Sequence, residues 1–390
     1  MKRAHRPRLV TPLFVLVTLS TFAYFVSVGA LQPTLPLYVE GPLGGTNVSV
    51  GLAIGAFSLS AVLVRPWVGR LSDTKGRRIL IVAGAAIVAV SIVGFLLIDD
   101  LMWLLILRFL SGFGEACFYV GAASVINDLA PDERRGEALS YFSLALYGGL
   151  ALGPVLGEIA LGDGRFALAW WVAAGAAALA AVLGVPIPDT RPDEITKPAR
   201  GLARIVHPAG LLPGAVLAAS IVGLGGFSAF VPLYALQIGL SGSRLVFATF
   251  SIVVLLIRSL GAQIPDRLGP SRSARTALLC QTTGLVVLGL WQVPFGLYTG
   301  TVILAMGQAL IFPALMTLAL GNAPPSERGA VVGTFTAFFD LAFGLGTVLL
   351  GVVAELFGYG GSFLASAVVA FSGFALITVR SLRAGRDPRA

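Results

Sequence analysis

Twelve apolar segments, each about as long as a bilayer is thick, occupy most of the 390 residues. A helix needs roughly 20 apolar residues to cross the hydrocarbon core. Segments of that kind run near 10–38, 49–68, 79–97, 102–127, 138–160 and 166–186, then 211–236, 245–263, 274–293, 298–320, 330–355 and 361–379. Backbone in hydrocarbon must satisfy its own hydrogen bonds, and continuous apolar runs of this length do so as α-helices. Composition agrees: 56% of residues are hydrophobic and 12% charged, against about 25% charged in soluble domains. The expected fold is an all-α integral membrane protein of twelve transmembrane helices. The first segment follows the basic stretch 1–8 without a convincing small-residue cleavage site, and reads as a retained span.

Lys and Arg set the orientation. With both termini cytoplasmic, 22 of the 27 Lys and Arg lie in inside segments. Arg165 and Arg244 lie in outside loops, and Arg65, Arg108 and Arg258 lie within or at the ends of helices. The net charge of +8 is therefore topology and attraction to anionic lipid, and needs no nucleic acid. The expectation is a multi-pass protein of the inner (plasma) membrane. His5, His207, Cys117 and Cys280 belong to no metal-ligand or nucleophile spacing, and no phosphate-binding loop occurs. An enzyme, a cofactor and a metal site are not expected.

The chain repeats itself. Arg65, Asp73 and Gly76 recur as Arg258, Asp266 and Gly269, and Phe57-Ser58 as Phe250-Ser251. Pro36-Leu37-Tyr38 recurs as Pro232-Leu233-Tyr234, and Glu133-Arg134 as Glu327-Arg328. Each pair keeps its order and its helix end, which indicates a duplicated six-helix unit. The expected division is a first half over 1–187, a cytoplasmic linker over 188–210 and a second half over 211–390. Two parallel halves around a midplane cavity are a transporter architecture.

Gly69-Arg70-Leu71-Ser72-Asp73-Thr74-Lys75-Gly76-Arg77-Arg78 joins the second and third helices. A plain basic loop needs the arginines but not the G-x-L-S-D-x-x-G-R-R pattern. This loop closely resembles the signature loop of the major facilitator superfamily, and the resemblance covers essentially the whole chain. It implies two pseudo-symmetric six-helix halves, a small-molecule substrate and a monomer. It further implies a cytoplasmic latch: Asp73 would meet the start of helix 11 near Gly329 and Ala330, and Arg77 would reach Asp128 at the end of helix 4. Gly69, Gly76 and Arg78 belong to the same loop, and Asp266 to its degenerate second copy.

Gly149, Gly153, Pro154 and Gly157 in helix 5 set small residues on one face at four-residue spacing. The stretch is similar to the helix-5 motif of the twelve-helix drug:proton antiporters in the superfamily, although Glu158 follows where the family has a second glycine. Arg108-x-x-x-Gly112-x-Gly114 resembles the helix-4 motif of the same antiporters, in which the arginine is implicated in proton coupling. Charged groups within a membrane are costly and face a wet cavity or a partner. Glu115, on the same helix face as Arg108 and Tyr119, and Asp340 in helix 11 are the two deep acids. Arg108, Glu115 and Asp340 are thus the proton-coupling candidates. Direct contact between Arg108 and Glu115 is not expected over seven residues, about 10 Å of helix rise, so water or another helix would bridge them. Glu158 and Glu355 read as interfacial.

The candidate cavity residues are Gln32, Tyr119, Tyr141, Tyr147, Phe227, Tyr234, Gln308 and Phe312, which together suit a small amphipathic molecule. The functional expectation is proton-coupled export of a small, partly lipophilic organic molecule by alternating access. The alternative is a proton symporter or facilitator for a sugar or another small metabolite.

Overall fold

The computed structural model describes residues 9–131, 134–190, 207–260, 268–321 and 327–384, without the side chains of Pro66, Arg70, Asp73, Arg135, Gly136, Arg328, Gly329 and 381–384. Among these residues the chain is helical throughout. The helices are α1 (Pro12–Glu40), α2 (Asn47–Lys75), α3 (Arg77–Gly94), α4 (Leu101–Leu129), α5 (Arg135–Leu161), α6 (Phe166–Gly184), α7 (Pro208–Gln237), α8 (Arg244–Leu260), α9 (Pro270–Leu290) and α10 (Pro294–Gly321). The last helical stretch, Arg328–Ala384, breaks at Gly358. Its φ of 70° there is open to glycine and strained for other residues. The break divides the stretch into α11 (328–357) and α12 (359–384).

Among the described residues, ten helical stretches are long and apolar enough to cross a membrane, Ala330–Arg380 counting once. The exterior is apolar as well: Leu97, Trp171, Val182, Leu290, Leu349 and Val368 are all exposed. In water such a surface would be an association hazard. In lipid it is the expected outer face.

Local chemistry sets the helix starts. The Thr11 hydroxyl accepts from the Phe14 amide, and Thr46 and Ser49 form a reciprocal capping box at α2. Asp100 caps α4 and His207 caps α7. Gly76, at φ 100°, makes the reversal between α2 and α3.

In the first half, α1 packs on α5 and α6, and α4 on α2 and α3; in the second, α7 packs on the 328–384 stretch, and α9 on α10. Alternate helices point the same way, so one end of the molecule carries the 69–78 turn (the loop end) and the other the starts of α2 and α8 (the far end). The halves meet closely at the far end. A Cβ on Gly55 would stand 2.6 Å from the Gly344 carbonyl oxygen, and one on Gly51 would overlap the Thr347 carbonyl. The Thr347 hydroxyl donates back to the Gly51 carbonyl at 3.2 Å. Small residues on α2 and α11 thus let two backbones touch.

Candidate functional site

A cavity of about 1080 Å³ lies between the halves. Its wall runs from Gln32 and Phe57 deep inside to Glu137, Ser259 and Thr317, at the loop-end turns of α5, α8 and α10. The far end is closed over it, and the described wall reaches the loop end.

Two carboxylates brace the closed end. Glu355 of α11 accepts from the Asn47 amide that starts α2, at 3.0 Å. Glu158 of α5 accepts from the Ser243 amide at 2.6 Å and the Ser243 hydroxyl at 2.7 Å, directly before α8. Each acid thus sits on the positive start of a helix in the opposite half. The two contacts are related by the internal repeat. The sequence placed both acids at helix ends but gave no sign that they cross between halves.

The charged centre of the cavity is built around Arg65 of α2. Its Nη1 lies 2.5 Å from Asp340 Oδ2 on α11, and its Nη2 lies 3.8 Å from Glu115 Oε2 on α4. Its guanidinium also stands over the Tyr119 ring, 5.7 Å from the centroid. One cation therefore joins an acid from each half. Arg108 is not part of this pairing. Its Nε donates to the Ala53 carbonyl at 2.9 Å, and its guanidinium lies 4.6 Å over the Phe57 ring. The group that reaches Glu115 comes from another helix: Arg65, which the sequence marks as a repeat residue and as an arginine within or at the end of a helix, but not as a proton-coupling candidate. The available signal was that Arg65 is one of just three arginines within or at the ends of membrane helices, and each must find a partner or a wet wall.

Seven of the eight candidate cavity residues, Gln32, Tyr119, Tyr141, Tyr147, Phe227, Gln308 and Phe312, line the wall. Gln308 also accepts from Gln281 at 2.8 Å, and Phe227 stacks on Phe250. Tyr234 is not on the wall. It is fully buried, and its hydroxyl donates to the Leu288 carbonyl at 2.9 Å. Its repeat counterpart Tyr38 does the same with the Ile98 carbonyl at 2.8 Å. Both tyrosines are structural ties from the end of α1 or α7 to the end of α3 or α9.

The helix-5 motif lies on α1. Cβ atoms added at Gly149 and Gly153 would stand 2.7 Å and 2.5 Å from the Phe22 and Val26 carbonyl oxygens, and one at Gly157 would overlap the Ala30 carbonyl. Pro154, between them, packs beside Gly29. The motif seats α5 against α1 inside the first half.

At the loop end, Arg77 is buried and paired with Asp128 of α4. The Thr190 hydroxyl donates to Asp128 at 2.7 Å, and the Arg77 amide donates to Asp189 at 3.0 Å. Asp189 and Thr190, just after α6, are parts of this cluster that the motif alone did not point to. Gly69 borders open space and Arg78 is exposed. The Asp73 side chain, Asp266 and most of the linker lie outside the described residues.

Known proteins resemble this chain over nearly its whole length. An uncharacterized MFS-type transporter of Salmonella typhimurium is 28% identical over 379 residues, covering 93% of this chain and 94% of that one. Another, from Burkholderia pseudomallei, is 29% identical over 394 residues, 94% of this chain and 91% of its own length. Among solved structures, a bacterial homolog of the human lysosomal transporter Spinster, in an inward-facing and unoccupied conformation, superposes with a TM-score of 0.78 at 16% identity, over 97% of this chain and 98% of that one. A peptide transporter reaches 0.80 at 14% identity, over 96% of this chain and 95% of its own. Such likeness at low identity establishes a shared fold. The family model described as Major Facilitator Superfamily matches residues 17–298 and 266–389, and the chain is a membrane transporter belonging to that superfamily, not an enzyme.

Proposed function

We propose that this transporter is a proton-coupled exporter, exchanging protons for a small, partly lipophilic organic molecule by alternating access. The observation that carries the reading is Arg65, which holds Asp340 of one half and Glu115 of the other on the wall of one cavity. A proton on Asp340 removes the charge that holds Arg65 across the interface, and frees the halves to rock. A proton leaving restores the bridge. In this scheme Glu115 and Asp340 carry the proton, and Arg108 holds α4 to α2 so that Glu115 stays aimed at Arg65.

The halves, 1–187 and 211–390, move as units about the linker at 188–210. The protein acts as a monomer in the inner membrane, with both termini cytoplasmic, so the loop-end opening is inward-facing. The far-end closures through Glu158 and Glu355 break as the protein turns outward. The loop of Gly69, Asp73, Gly76, Arg77 and Arg78, which Arg77 already ties to Asp128 within the first half, then latches the cytoplasmic side. Similarity of the Gly149–Gly157 stretch to antiporter helices supports export over uptake.

The energetics suffice. One charge crossing 100 mV supplies about 2.3 kcal/mol, and a tenfold substrate gradient requires about 1.4 kcal/mol.

The test uses energised everted vesicles containing the protein, with internal pH followed during addition of drugs, dyes, sugars and metallophores. Substrate-dependent proton release, absent from empty-vector vesicles, is the expected result. Proton movement in the same direction as substrate would replace export with symport of a metabolite, and substrate flux without proton movement would leave a facilitator.

A further inference from the structure

Arg258 is the repeat counterpart of Arg65, yet the two are in opposite electrical situations. Arg65 is shared between two carboxylates. Arg258, near the end of α8, lines the cavity with its guanidinium 4.7 Å over the Tyr147 ring of the other half. Its Nε, like that of Arg65, is buried without a hydrogen-bond partner, but no carboxylate pairs with Arg258 among the described residues. Arg108 likewise has no carboxylate partner, only a backbone carbonyl and a ring face. Both inner acids are committed to Arg65, and Glu137 at the mouth is bound to Arg134 at 2.8 Å. The described wall thus holds three arginines and three acids, but the charges are segregated: the acids lie with Arg65 and Arg134, while Arg258 and Arg108 face no carboxylate among the described residues.

We infer that Arg258 anchors an anion-binding subsite, and that the substrate is an amphipathic organic anion whose carboxylate or other oxyanion pairs with it. Stacking on Tyr147 fixes the plane of the guanidinium and leaves its N–H edges for a bidentate oxyanion. The apolar body of such a molecule would lie against Phe227, Phe250 and Phe312, which line the same cavity. A cationic molecule with its charge beside Tyr147 would meet the Arg258 guanidinium with no carboxylate paired to it among the described residues. A neutral one would leave Arg258 unpaired in a largely apolar wall, which is unfavourable.

This inference rests on the cavity being the substrate site but not on proton exchange, so binding without any gradient tests it separately. The probe is 2-naphthoate, with the neutral 2-naphthamide and the cationic 2-(aminomethyl)naphthalene as matched bodies. Each is titrated calorimetrically into the full chain in phosphatidylcholine nanodiscs, with empty discs as reference. The expected result is saturable binding of naphthoate, about tenfold or more tighter than the amide, with the amine weakest. Arg258→Gln abolishes the preference and leaves amide binding unchanged. Arg258→Lys keeps most of it, and Arg165→Gln, an exposed charge at the far end, has no effect. Equal affinities, a preference for the amine, no binding of naphthoate, or a carboxylate preference that survives Arg258→Gln would each overturn the assignment. Loss of naphthoate binding in discs enriched in phosphatidylglycerol would assign the oxyanion to a lipid headgroup and overturn the substrate claim.

Discussion

Arg65 decides the behaviour of the cavity because both of its partners are buried acids. Removing one member of a buried pair leaves an uncompensated charge, at a cost of about 3–5 kcal/mol. Arg65→Gln should therefore lower the apparent Tm of purified protein. Arg65→Gln combined with Asp340→Asn should recover much of the loss, because the nearer carboxylate is then neutral and only the more distant Glu115 is left without its cation. Thermal unfolding of the two variants side by side checks this, and a double variant no more stable than the single one would contradict the pairing. Glu115 stands farther from Arg65, at 3.8 Å, and its neutralisation strands less. Glu115→Gln should fold with near wild-type Tm and lose proton-driven transport in everted vesicles. Retained proton-driven transport would remove Glu115 from the coupling.

At the scale of elements, two kinds of contact have opposite purposes. The α1–α5 seam has no spare space, so it holds the first half rigid. Gly153→Val should force these helices apart at a cost of about 1–3 kcal/mol or more, visible as a lower Tm and reduced yield of monodisperse protein. The far-end contacts must break in every cycle. Glu158→Gln exchanges a charged acceptor for a neutral one at the start of α8, and charge-assisted bonds are roughly twice as strong as neutral ones. Spin labels at Asp163 and Ser241, in a background without Cys117 and Cys280, should show a longer-distance population in Glu158→Gln than in the parent. An unchanged distribution would mean that this carboxylate does not hold the far end closed. The helices themselves were legible in the sequence, because run length and apolarity dictate a span. The division between α11 and α12 was legible only as a dip in the apolar run, and Gly358 makes it by backbone conformation, without a polar loop.

Across the whole molecule, the repeat carried more meaning than its use as an index of duplication. It pairs Tyr38 with Tyr234 as structural ties, Glu158 with Glu355 as cross-half braces, and Arg65 with Arg258 as one satisfied and one unsatisfied cation. Residue type alone named seven residues that stand on the cavity wall, but it does not discriminate, since Trp103 and Phe109 on the helix of Tyr119 are exposed. Tyr234 could not be sorted that way, since a tie and a ligand contact look alike in one dimension. The Arg65–Asp340 bridge was also hidden, because it joins residues of different halves and only the assembled interface brings them together. The central claim is that this bridge couples proton movement to alternating access. The most direct measurement compares wild type and Asp340→Asn in proteoliposomes, for a substrate identified in the vesicle screen. The account expects Asp340→Asn to keep substrate-for-substrate counterflow while losing accumulation driven by a proton gradient. Full gradient-driven accumulation in Asp340→Asn would contradict it.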